Sequence, residues 1–113
     1  MTAVRQIGLA LLMIGLGSCE RFPVVTVTNR SGVALTKVVI AGSGFSERIG
    51  DLPSGAERSF RPSVRGESGV QVTFDAAGQH YDSGEQGYFE ATGGYHVSVV
   101  IDPQMKVSVD STF

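Results

Sequence analysis

Apolar and polar residues alternate along most of this chain with a period of two. Val25 and Val27 alternate with Thr26 and Thr28, and Val38 and Ile40 with Lys37 and Val39. Val70, Val72 and Phe74 alternate with Gln71, Thr73 and Asp75. Tyr95, Val97, Val99 and Ile101 alternate with His96, Ser98 and Val100, and Met105, Val107 and Val109 with Lys106, Ser108 and Asp110. Each series puts its apolar side chains on one face, as a strand with one wet side requires. Residues 47–52, 57–61 and 87–90 are weaker strand candidates. No window after Cys19 has the 3.6-residue period of an amphipathic helix.

Turn chemistry separates these runs. Asn29-Arg30-Ser31-Gly32 follows the first, Gly42-Ser43-Gly44 the second, and Leu52-Pro53-Ser54-Gly55 precedes the fourth. Ala76-Ala77-Gly78-Gln79 joins a hairpin, and Asp102-Pro103-Gln104 joins the last two strands. Such residues either tolerate positive φ or cap their own backbone. Seven or eight short strands with turns at this spacing predict an all-β fold, a small antiparallel β-sandwich, with a small barrel as the alternative. The Val/Thr strand, the Asn-x-Ser-Gly turn and the Leu-Pro-x-Gly turn, in residues 24–32 and 52–61, resemble those of bacterial immunoglobulin-like domains. That resemblance implies a fold and no chemistry.

The N-terminus has a different character. Arg5 is followed by an apolar run over residues 7–16 and then by Gly17, Ser18 and Cys19, the sole cysteine. Ten helical residues span only about 15 Å, half of a hydrocarbon core about 30 Å thick. The run therefore suits a cleaved export signal and not a permanent span. Leu16-Gly17-Ser18-Cys19 resembles the lipobox of bacterial lipoproteins. The resemblance implies cleavage after Ser18, diacylglyceryl transfer to the Cys19 thiol, and acylation of the new amine by a chain such as palmitate. Residues 1–18 are then a signal peptide, residues 19–23 a lipidated terminus with a short tether, and residues 24–113 one domain. Glu20 follows Cys19 where aspartate marks inner-membrane retention in that family, which implies an outer-membrane site facing the periplasm. Asn29-Arg30-Ser31 fits a glycosylation sequon, but a bacterial signal argues against that use.

The resemblance leaves a mature chain of 95 residues with no thiol free for a disulfide. A domain this size buries roughly 60–65% of its unfolded surface, so packing alone must hold it. Without Arg5 the chain carries eight Lys and Arg against eleven Asp and Glu, a net charge of −3. That sign excludes nucleic acid as an expected partner.

Few residues invite chemistry. A hairpin at residues 76–79 puts Asp75 opposite His80 and Thr73 opposite Asp82, all on the outer face, with Glu85 and Glu90 following. These side chains match no metal-ligand spacing and are expected to form a solvated face with one ion pair. No serine sits in a nucleophile elbow, and no cofactor motif is present. The chain is expected not to be an enzyme. The possible partner surface comprises Tyr88, Phe89, His80, Asp82 and Glu85, where aromatics lie beside a glycine-rich stretch. The expected function is a membrane-anchored, non-catalytic module that binds another envelope protein. The alternative is an inhibitor or immunity protein against a periplasmic or cell-wall-degrading enzyme, with residues 82–94 as a loop that plugs its cleft.

Overall fold

The computed structural model describes residues 22–113. Leu16, Gly17, Ser18 and Cys19 lie outside the described residues, as does the apolar run before them. Eight strands follow: β1 (Val24–Asn29), β2 (Leu35–Gly42), β3 (Phe45–Leu52), β4 (Glu57–Phe60), β5 (Glu67–Ala76), β6 (Gln79–Glu90), β7 (His96–Ile101) and β8 (Val107–Thr112). They form two four-stranded sheets, ordered β4-β1-β7-β8 and β3-β2-β5-β6, which pack as a β-sandwich. The all-β expectation holds. One pair departs from the antiparallel expectation: β1 runs parallel to β7, from Val24 beside His96 to Asn29 beside Ile101. Alternation specifies which face a residue occupies and carries no information about strand direction, so the sequence did not reveal this pair.

The core lies between the sheets and is supplied mainly by their inner strands. Val25 and Val27 of β1 face Val97, Val99 and Ile101 of β7, and across the sandwich stand Leu35, Val38 and Ile40 of β2 and Val70, Val72 and Phe74 of β5, all buried. Each such side chain contributes about 1.5–3 kcal/mol relative to exposure. In β2 the inward positions are 35, 38 and 40, because Lys37, with φ 52°, is an extra residue that shifts the register. The β5–β6 turn is tight: Ala76 pairs with Gln79, and both Ala77 and Gly78 have positive φ, the geometry of a type I′ hairpin turn.

One end of the sandwich is closed by Asn29, the last residue of β1, which is fully buried. Its Nδ2 donates to Val33 O and to Leu52 O, both at 2.8 Å. Its Oδ1 accepts from Ser31 N at 2.9 Å and from Ser31 Oγ at 2.6 Å, an Asx-type turn. Its backbone N donates to Ala56 O, and its backbone O accepts from Gly55 N. The Asn-x-Ser-Gly and Leu-Pro-x-Gly turns thus form one hydrogen-bonded clasp. The same burial leaves the sequon asparagine out of reach of a glycosyl donor, since both amide hydrogens of Asn29 are bonded inside the protein. Asn29→Leu keeps the branched shape but takes one donor from Val33 O and one from Leu52 O, and leaves the Ser31 N–H without its acceptor. It is expected to cost about 3 kcal/mol, read as a lower urea midpoint at unchanged slope.

Ser111 of β8 faces inward, and its Oγ is enclosed with no hydrogen-bond partner among the described residues. An unpaired buried hydroxyl is destabilising. Ser111→Ala is therefore expected to raise stability by about 1 kcal/mol, measured by thermal or urea unfolding.

Candidate functional site

Strand β6 carries the candidate surface, and its shape decides which residues share a face. It is twelve residues long and runs at the edge of its sheet, paired only with β5. The register slips twice, between Gln71 and Thr73 and between Ser68 and Val70 of β5. Each slip is a bulge on β6 that adds one residue to the alternation. The inward series is therefore Tyr81, Ser83, Gln86 and Phe89, and the outward series is His80, Asp82, Glu85 and Tyr88.

Local polar chemistry holds the first bulge. Ser83 Oγ accepts from Val72 N at 2.9 Å, standing in for a ladder carbonyl, and donates to Gly84 O at 2.6 Å. Asp82 Oδ1 accepts from Gly84 N at 2.9 Å, and Gly84 has φ 68°. At the second bulge Gly87 has φ 77°, and a Cβ there would lie 2.6 Å from Val109 Cγ1. Only glycine both adopts this backbone and lets β6 seat against β8. Gly87→Ala is expected to cost about 2 kcal/mol, and adding Val109→Ala is expected to recover only the part due to the clash, leaving the backbone strain. Urea unfolding of the single and double variants checks this.

Four of the five expected partner-surface residues share the outer face. His80 Nδ1 lies 2.6 Å from Asp75 Oδ1 across the pair, and Lys37 Nζ lies 3.9 Å from Asp75 Oδ2. Asp75 and His80 meet across the strand pair at the expected positions, with Lys37 beside them, and such exposed contacts contribute little to stability. Asp82 accepts from Gln71 Nε2 at 2.9 Å. That bond, then the Gly84 N–H, holds its carboxyl below the ordinary range, so it stays ionised. Glu85 lies opposite Gln71. Tyr88 is 45% exposed and its hydroxyl donates to Glu90 Oε2. The carboxylate favours the protonated phenol, and with Glu67 nearby the Tyr88 pKa is pushed up to about 12.

Phe89 is a correction. It is fully buried, edge-on to Phe45 with ring centroids 6.3 Å apart, and Phe45 in turn packs on Phe60. Two bulges cancel, so Phe89 returns to the side of Tyr81, which stacks on Phe74 at 5.2 Å. The proposed plug is corrected too. Most of residues 82–94 is strand β6 and not a free loop; only the short connection after Glu90 leaves the sheet. The Asp-Ser-Gly triplet was the available signal, since its side chains cap a bulge as readily as a turn.

His96 points outward from β7, as its alternation implies. Among the described residues no group of three or more His, Cys, Asp or Glu is placed to hold a metal. No helix among them is long and apolar enough to cross a membrane.

No family model matches the chain, and no curated protein matches it. Among solved structures, the NMR structure of a protein from Eubacterium rectale is similar, with a TM-score of 0.54 at 17% identity. The match covers 80% of this chain and 87% of that one. At that identity the likeness shows the fold alone.

Proposed function

We propose that this chain is a bacterial envelope lipoprotein, anchored by an acylated Cys19, whose sandwich is a non-catalytic module that binds another envelope protein. The observation that carries the reading is the order of Arg5, the apolar run and Leu16-Gly17-Ser18-Cys19, followed within five residues by the first strand. Two or three acyl chains on one cysteine hold a protein to a bilayer nearly irreversibly. Glu20 after Cys19 supports the outer membrane as its site. A short tether keeps the domain near that leaflet and raises its effective concentration for neighbours there.

The binding face in this reading is the outer face of β5 and β6, with His80, Asp82, Glu85 and Tyr88. Tyr88 supplies an exposed aromatic ring, and Asp75, Asp82, Glu85 and Glu90 give the face an acidic balance. Such a face suits a partner surface rich in Arg, Lys or backbone N–H donors.

Cys19→Ser tests the anchor. The parent protein is expected to incorporate a palmitate analogue and to float with membranes, whereas the variant does neither. A parent protein that retains a free thiol and stays in the soluble fraction would overturn the reading.

A further inference from the structure

The end of the sandwich opposite the Asn29 clasp is the end that the tether enters. There the first sheet presents one side chain from each strand in turn. Arg61 follows β4, Phe22 precedes β1, His96 opens β7 and Phe113 follows β8. The register makes them neighbours, since Val25 pairs with Phe60, Val24 with His96, and His96 with Thr112. Val24 N also donates to Tyr95 O, closing this end of β1 on β7.

Two large apolar side chains are left in the open. Phe22 is 53% exposed and Phe113 is 82% exposed, the latter touching the protein mainly through Tyr95, with centroids 4.4 Å apart. Phe22 and Arg61 border both of two shallow hollows, of about 320 and 650 Å³. Among the described residues that line them, Arg61 and His96 are the titratable ones and none is acidic. The other exposed large hydrophobic side chains among the described residues are Val33, at the clasp, and Tyr88, on the outer face of β6.

The chain outside the described residues fixes what meets this end. From Cys19 to Phe22 is three residues, a reach of at most about 11 Å. We infer that this end docks on the membrane that holds Cys19, with Phe22 and Phe113 seated among the lipid headgroups and Arg61 beside the phosphates. The inference rests on the lipoprotein reading above. Aromatic rings favour the bilayer interface, where one part of the ring is apolar and its surroundings are wet. Neither ring needs high intrinsic affinity, because the anchor already holds it within reach. Docked in this way, the long axis of β6 stands away from the bilayer, and its outer face points sideways toward neighbours.

The chain has no tryptophan, so a single introduced one reports on its own surroundings. The test uses Phe22→Trp, Phe113→Trp and, at the clasp end, Gln104→Trp, each made from the full chain in a bacterial host and reconstituted in phosphatidylcholine vesicles. Brominated lipid is expected to quench the first two at least twofold more than the third, with a blue shift of their emission. Equal quenching at all three positions overturns the docking. A blue shift without quenching also overturns it, since it places the two rings against a second copy of the chain or against another protein. In a second arm, residues 19–113, which contain the eight strands and the core of the described residues, are coupled through Cys19 to a maleimide lipid in the same vesicles. Quenching in this arm with no lipid on the host-made protein rejects the anchor and keeps the docking geometry. Lipid on the host-made protein with no preferential quenching in either arm rejects the docking and keeps the anchor.

Discussion

The side chain of Asn29 is the interaction on which the rest of the sandwich depends. All of its hydrogen-bonding capacity is used, two donors and two lone pairs, in a site without solvent. It ties the end of β1 to the loop before β2 and to the end of β3, while its backbone binds the turn before β4. Arg30 N continues the β1–β7 pairing by donating to Ile101 O. One residue therefore sets the relative position of strands from both sheets. A domain with no disulfide needs such a fixed point, because apolar packing is tolerant of small shifts and a satisfied polar network is not.

Strands β1 and β7 and the part of β5 from Val70 onward were legible because they obey a period of two without interruption. There the buried positions are those that alternation assigns, and the hairpin at residues 76–79 placed Asp75 opposite His80 in the sequence as it does in the structure. Strand β6 was not legible, although its residues are no less suited to a sheet. Its inward positions 81, 83, 86 and 89 are spaced by two, three and three, which fits neither strand nor helix. Gly84 and Gly87 read as loop signals because glycine marks a bulge and a turn with the same freedom of φ. Four of the candidate residues survived as a group since His80, Asp82, Glu85 and Tyr88 follow the same irregular spacing on the other side. Phe89 did not, because an aromatic ring beside glycine looks alike whether it plugs a core or a partner's pocket. Leu16-Gly17-Ser18-Cys19, the run that resembles a lipobox, lies outside the described residues.

The arrangement of edges argues against strand addition. On one side β6 lies against β8 through Gly87 and Val109, so the two sheets close on each other there. On the other side β3 is an edge, but its exposed positions are Ser46, Glu47, Arg48 and Asp51, and Gly50 with φ 80° bends the backbone among them. Charged side chains and a bend are the means by which sheet edges avoid unwanted pairing. Strand β4, only four residues long, offers too little ladder to hold an added strand. What remains is the outer side of β5 and β6. There Asp82 is held ionised by Gln71 and Gly84, and Glu90 holds the Tyr88 hydroxyl, so the polar groups are already oriented before a partner arrives. Under the proposal that this chain is an anchored binding module, orientation in advance lowers the entropy that binding must overcome.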